Sequence, residues 1–215
     1  MTPEARREAN EKLLQEHGIP INPHLPMIED GDAVTLRSEE ELWGRLVALW
    51  GVVGTAMMRE NAWFKEYFTP PERRALLSND EAAFLFNDEP DEQDRIQFSW
   101  RLEALMFLAW CAGLVDDPGL PSEPSSAEDI LPLYPHDLGD AVMLREAIRV
   151  RPKEEILDWA DRLYRLHWAV REAHLKREAP PPGLNPGMVL EWHHAVNWMT
   201  RYGDEDDWDA VGTDT

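Results

Sequence analysis

The strongest constraint on this chain is a helical period of apolar residues over residues 152–179. An α-helix turns about 100° per residue, so side chains three and four positions apart share a face. Apolar side chains at this spacing cover one broad side of the predicted helix: Ile156, Leu157, Trp159, Ala160, Leu163, Tyr164, Leu166, Trp168, Val170 and Leu175. His167, Arg171 and His174 fall in the middle of the same side. A titratable side chain in a core is costly unless it is paired, so we expect these three residues to have partners inside the fold.

The helical period recurs along the chain, and no run longer than a few residues alternates as a half-buried strand would. A charged helix is predicted over residues 3–17. Ser38 and Glu41 have the spacing of a capping box, which opens a helix over residues 39–59. This helix and a second one over residues 91–112 are apolar on nearly every side, a pattern that is typical of helices buried all round.

These patterns predict an all-α fold: a single globular helical domain over residues 1–215, with two buried central helices wrapped by the others. The N-terminal helix lies within residues 1–18. Residues 203–215 form an acidic tail, and we expect this tail to dock back onto the body through Trp208.

The chain carries 42 acidic and 21 basic residues, a formal net charge of −21. Phosphate binding needs clustered lysine and arginine, so the charge argues against nucleic acid and against an anionic membrane surface as partners. It favours a basic protein partner, because opposite charges steer association. Cys111 is the single cysteine, which is typical of a reducing compartment. We expect a cytoplasmic protein that is a monomer or a homodimer.

Glu103 is a carboxylate on the apolar second central helix, which also carries Arg101. A lone carboxylate in such a place is neutralised or paired. Because His167 and Arg171 also occupy apolar positions, we predict that Glu103 meets one of them inside the fold. The cluster is then either a salt bridge that sets the helix register or part of a pocket for a polar or anionic ligand.

Glu191 and His194 stand three residues apart, the spacing of half a di-iron site on a bundle helix. A second Glu-x-x-His motif is missing from the sequence, so we expect no metal and no cofactor. In the row Glu155, Asp158 and Asp161, the two aspartates have Arg162 and Arg165 four residues further on, and we interpret the row as a solvated helix face. The candidate binding residues are Glu103, Arg101, His167, Arg171, Glu191, His194 and Asn197.

Several stretches together resemble a bacterial family known as domain of unknown function 4272. They are HGIP at residues 17–20, LP at 25–26, LRS at 36–38 with Glu41, RLEAL at 101–105 with Trp110, EILD at 155–158, YRLHWAVR at 164–171, HHAVNW at 193–198 with Glu191, WD at 208–209 and DT at 214–215. The resemblance covers most of the chain. Because the family name implies no activity, it supports the fold and the compartment more than a function.

No nucleophile elbow, phosphate loop or dinucleotide fingerprint is present, and we assign no catalytic residue. The leading hypothesis is a non-enzymatic cytoplasmic binding protein whose acidic surface meets a basic protein, as in an immunity or antitoxin-like role. The alternative is a hydrolase or transferase with a site among Glu103, His167, Arg171 and Glu191. An open pocket at these residues would favour the enzyme, and a closed, paired cluster would favour the binding protein.

Overall fold

In the computed structural model, which describes residues 1–58 and 62–215, the chain forms α-helices joined by loops, and the described residues contain no strand. The helices are α1 (Pro3–Glu16), α2 (Glu39–Met57), α3 (Ala62–Tyr67), α4 (Pro71–Arg74), α5 (Asn79–Phe86), α6 (Glu92–Ser99), α7 (Arg101–Cys111), α8 (Val142–Ala147), α9 (Lys153–Lys176) and α10 (Pro186–Met199). They form one domain, so the all-α prediction is confirmed.

The helix starts follow the local sequence. Ser38 and Glu41 form the predicted capping box of α2, and Ser78 and Glu81 form a second box that opens α5. The side chain of Asn185 accepts hydrogen bonds from two backbone amides in the first turn of α10. The predicted end of the first central helix, near residue 59, lies outside the described residues.

Helices α2, α7 and α10 make the centre of the domain. Most side chains of α2 and α7 are buried, as predicted for the two central helices. Helix α10 is equally buried and packs between α7 and α9. Gly51 and Gly54 let aromatic rings lie directly on α2, since a Cβ atom at either position would overlap Phe68 or Phe64. Among the described helices, none combines the length and the apolarity needed to cross a bilayer.

The second central helix is two helices, not the single one predicted over residues 91–112. The interruption falls at Trp100, between α6 and α7. There the Glu103 amide donates to the Trp100 carbonyl in the tighter i→i+3 pattern, while the hydroxyl of Ser99 donates to the Ile96 carbonyl. A serine that bonds back to its own helix competes with the regular pattern and bends the chain.

The acidic row on α9 is a solvated face only in part: Glu155 is exposed, whereas α1 covers Asp158 and Asp161. Asp161 and Arg165 are 1% and 2% exposed. The guanidinium of Arg165 binds both Asp161 carboxylate oxygens at 2.8 and 2.9 Å. Asn10 of α1 donates to the same carboxylate at 3.0 Å. The i,i+4 pairing was predicted, but the helix that buries it could not be read from α9 alone.

Helix α9 ends at Lys176, earlier than predicted, and its last turns are mostly exposed. Arg177 takes a left-handed conformation with φ 59°, and the Glu178 amide closes the helix by donating to the Ala173 carbonyl. Arg171 and His174 are exposed. The expectation that they are buried was wrong, because burial after His167 is limited to Ala169 and Ala173, and Arg171 and His174 lie outside this narrow strip.

Candidate functional site

Two polar clusters lie on neighbouring faces of α10. Consecutive helix residues point about 100° apart, so His193 and His194 meet different neighbours. His193 contacts His167 of α9, whereas His194 contacts Arg101 of α7 and the backbone of Trp208 in the tail.

The first group, called the α7 cluster here, consists of Arg101, Glu191 and His194. One guanidinium nitrogen of Arg101 lies 3.0 Å from Glu191 Oε2 and 3.0 Å from His194 Nδ1. His194 Nε2 lies 2.9 Å from the carbonyl oxygen of Trp208. A carbonyl can only accept, so His194 carries its proton on Nε2 and accepts from Arg101 at Nδ1.

Burial sets the charges of the α7 cluster. It raises the pKa of Glu191, an effect that Arg101 opposes. It also lowers the pKa of His194 to about 4, with a further contribution from the charge of Arg101. Near pH 7 the imidazole is therefore neutral. The structure brings these three predicted residues together, and they satisfy each other.

The tail covers the α7 cluster. Trp208 is 3% exposed, and its ring lies 4.3 Å from the ring of His194 and 5.8 Å from that of Trp198. Arg37 holds the preceding residues, donating to the Asp206 carboxylate at 2.5 Å and to the Glu205 carbonyl at 2.6 Å.

Glu103 does not meet Arg171 or His167, so that predicted pair is wrong. Its carboxylate accepts from the backbone amide and the hydroxyl of Ser125, at 2.9 and 2.8 Å, and from Trp192 Nε1 at 3.3 Å. The loop between α7 and α8 returns across α7 and supplies neutral donors where the sequence suggested a cation. The exposed Arg171 instead contacts the backbone and side-chain oxygens of Thr215 at 3.4 Å.

The second group, called the α9 cluster, consists of His167, His193 and Asn197. The Nδ1 atoms of the two histidines are 2.9 Å apart, and Asn197 Nδ2 lies 3.3 Å from His193 Nε2. The amide nitrogen of Asn197 can only donate, so His193 accepts at Nε2 and donates from Nδ1 to His167. Burial lowers the pKa of His193 to about 3 and that of His167 to about 4, and both rings are neutral near pH 7.

His193 was not among the predicted site residues. The signal that could have identified it is its position four residues before Asn197, which places the two polar side chains on one helix face. Asn197 also donates to the Gly212 carbonyl at 2.8 Å and so ties the end of the tail to α10.

The α9 cluster borders a cavity of about 590 Å³, called the tail pocket here. One wall is the loop of residues 26–35, and the next is α9 with Tyr164. The C-terminal half of α10, from His193, and the turn after it at residues 200–204 form the third wall. Residues 214–215 of the tail close the fourth side. The volume falls within the range of about 300–1,000 Å³ that is typical of ligand pockets.

A second cavity of about 390 Å³ lies beside Trp208, between α2 and the tail. Arg45 and Glu81 form an ion pair below it and are 6% and 1% exposed. Three buried atoms there have no hydrogen-bond partner: Arg45 Nε, Glu81 Oε1 and Trp208 Nε1.

Within residues 1–58 and 62–215, no group of three or more histidine, cysteine, aspartate or glutamate side chains could hold a metal ion. Glu191 and His194, which have the spacing of half a di-iron site, share the guanidinium of Arg101 instead. A cation already occupies the position that a metal would need.

Comparison with known families gives one match. The family described as Domain of unknown function (DUF4272) matches residues 6–211, nearly the whole chain, and confirms the resemblance seen in the sequence. No curated protein and no solved structure matches the chain significantly. The family's description carries no activity, so a function has to be argued from the geometry.

Proposed function

We propose that this chain, which belongs to the family described as Domain of unknown function (DUF4272), is a non-enzymatic binding protein that receives a basic protein partner on its acidic exterior. The observation that carries the proposal is the distribution of charge between the interior and the surface. Among the described residues, most basic side chains are buried or half-buried, and most carboxylates are exposed.

Buried arginines hold internal carboxylates and carbonyl groups. Arg165 binds Asp161, and Arg45 binds Glu81. Arg37, which is 5% exposed, donates to the Trp198 carbonyl at 3.1 Å. A guanidinium suits this role because its planar fork donates in several directions.

The consequence is an exterior with few positive charges. Of the described basic residues, only these are exposed: Lys12, Arg74, Arg145, Arg149, Arg171, Lys176 and Arg177. The acidic residues, 42 in the whole sequence, are mostly exposed where they are described. Such a surface attracts basic proteins and speeds their association.

The closed α7 cluster and the low histidine pKa values support binding rather than catalysis. The α7 cluster is sealed under Trp208, and each of its members has a partner. A histidine whose pKa lies near 3 or 4 is a weak proton acceptor at pH 7, since an efficient general base has a pKa near the working pH. A cytoplasmic immunity or antitoxin-like role is one concrete form of the proposal, because such proteins neutralise a partner by covering it.

The test uses two matched pairs of surface variants in the full chain. Asp30→Asn with Asp32→Asn removes two exposed acids, and Lys12→Gln with Lys176→Gln removes two exposed bases. Each tagged chain captures proteins from a lysate of its native cells, and mass spectrometry identifies them.

We expect basic proteins that elute below about 0.5 M salt, where exposed charges are screened. Capture should fall for the acid-to-amide pair and hold or rise for the base-to-glutamine pair. Capture of proteins without a basic bias would overturn the proposal.

A hydrolase or transferase is a second candidate, and the open tail pocket favours it. The four residues first suggested for such a site have separate partners, so the enzymatic hypothesis now centres on His193. Chromogenic ester, phosphate and glycoside substrates test it. Turnover that His193→Gln abolishes and His194→Gln preserves would support an enzyme.

A further inference from the structure

We propose that the tail pocket receives an arginine side chain of the basic partner, with the guanidinium held by carboxylates at the pocket mouth. This inference rests on the proposed binding function and names the site where that function is most specific. The shape, the charge and the aromatic lining of the pocket lead to it.

The pocket is large enough to hold one long side chain. Its volume of about 590 Å³ is enclosed by helix faces on two sides and by the loop and the tail on the others. Leu157 and Ala160 make part of the inner wall apolar. The aliphatic stem of an arginine can lie along apolar surface while its charged end stays near polar groups.

The mouth of the pocket carries uncompensated negative charge. Glu29, Asp204 and Asp214 belong to the lining, and all three are exposed. None of them forms an ion pair within the described part of the chain. Arg201, the basic residue of the lining, already binds Glu41 and Asp206 at 2.5 and 2.6 Å. The exposed Arg171 contacts Thr215 at the edge of the pocket, but the three carboxylates outnumber it. A cation that enters the pocket therefore meets an excess of negative charge.

The inner polar groups do not repel a cation. His193 is 2% exposed and neutral near pH 7, and the amide of Asn197 is uncharged. Tyr164 and Tyr202 supply aromatic rings. A planar guanidinium stacks on such rings and binds carboxylates with two parallel hydrogen bonds. These features favour arginine over lysine.

The backbone at the mouth is held in an uncommon conformation. Arg201 and Asp204 have φ angles of 53° and 56°, in the left-handed region that residues other than glycine seldom adopt. Both line the pocket. This turn places Tyr202 and Asp204 at the same opening, and non-glycine residues kept in this region often occur at ligand sites.

The experiment is an NMR titration of the full chain with N-acetyl-arginine amide. N-acetyl-citrulline amide is the control ligand, because it keeps the shape and loses the charge. We expect the arginine ligand to shift the signals of Tyr202 and Asn197. The citrulline ligand should bind with an affinity at least about tenfold lower, because it loses a charge-assisted hydrogen bond. Asp214→Asn should weaken arginine binding about tenfold. Glu123→Gln, an equal charge change at an exposed loop residue outside the pocket, should leave it unchanged.

The outcomes separate this inference from the proposed function. Equal binding of arginine and citrulline, or equal effects of Asp214→Asn and Glu123→Gln, would overturn the arginine pocket. If basic proteins are still captured in that case, the acidic exterior acts without the pocket. If arginine binds the pocket but no basic protein is captured, the pocket stands as a site for a small guanidinium compound, and the proposed function fails.

Discussion

The two neighbouring histidines of α10 have opposite surroundings. His194 lies under the tail, with Arg101, Glu191 and Trp208 around it. His193 has His167 and Asn197 as partners and borders an open cavity. Both are buried and neutral near pH 7, so their chemistry is similar. What differs is the element that lies opposite each ring.

This difference separates a structural role from a binding role. On the α7 side, the tail fills the space above the ring, and the polar atoms hold the tail in place. On the α9 side, the tail returns only at its end, where Asn197 holds the Gly212 carbonyl. The space left between the loop and the tail becomes a pocket. The predictions below test the two sides in order of decreasing effect.

Trp208→Ala should have the largest effect, because it removes the side chain that seals the α7 cluster. A buried tryptophan replaced by alanine costs about 3–5 kcal/mol, measured as the free energy of unfolding in urea. Trp100→Ala is the control, since Trp100 is 37% exposed and should cost about 1 kcal/mol. Equal losses for the two variants would contradict a docked tail.

Acid should destabilise the protein through the histidines on both faces of α10. Burial lowers the pKa of His193 to about 3 and of His194 to about 4, below the value near 6.5 of an unfolded chain. Between these values the unfolded state binds more protons. The stability that depends on the neutral histidines is therefore fully present above pH 6.5. Below this pH the free energy of unfolding falls by about 1.4 kcal/mol per pH unit for each histidine, until the pH reaches the pKa of that histidine in the folded state.

Urea unfolding between pH 7 and pH 4 measures this slope. His193→Gln and His194→Gln should each reduce it, because glutamine does not titrate. An unchanged slope in both variants would contradict the prediction, because it would mean that the two histidines have the same pKa in the folded and unfolded states.

Arg101→Met should destabilise the protein by about 2 kcal/mol, since it leaves Glu191 without its cation in a largely buried position. The double variant with Glu191→Gln should recover part of this loss, which urea unfolding of both variants measures.

Burial already raises the pKa of Glu191, and loss of Arg101 should raise it further. In Arg101→Met, stability should therefore fall as the pH rises through the folded-state pKa of Glu191, and the double variant should lack this fall.

Asn197→Ala should cost about 1–2 kcal/mol, because the Gly212 carbonyl and His193 lose a hydrogen bond. The loss is measured in urea. Asp214→Asn, at the exposed mouth of the same pocket, should change stability by less than about 0.5 kcal/mol. A large loss for Asp214→Asn would mean that the carboxylate supports the fold rather than a ligand.

The local features of the fold were predictable because they depend on neighbours along the chain. Ser38 caps the helix that Glu41 helps to close, and Asn185 caps α10. The apolar period indicated which helices are buried, since burial of apolar side chains away from water lowers the free energy of the folded state. The acidic excess, the absence of strand patterns and the pair of Glu191 and His194 on one helix face could all be read in the same way.

The partners of the buried charges depended on the tertiary structure. Glu103 accepts from Ser125, Asp161 lies under α1, and Arg171 points away from the core. A helical period shows only the face on which a side chain lies. The cost of its charge depends on the chain that packs against that face, which comes from distant residues. The tail pocket follows the same rule, since it exists only where the loop of residues 26–35, two helices and the tail meet.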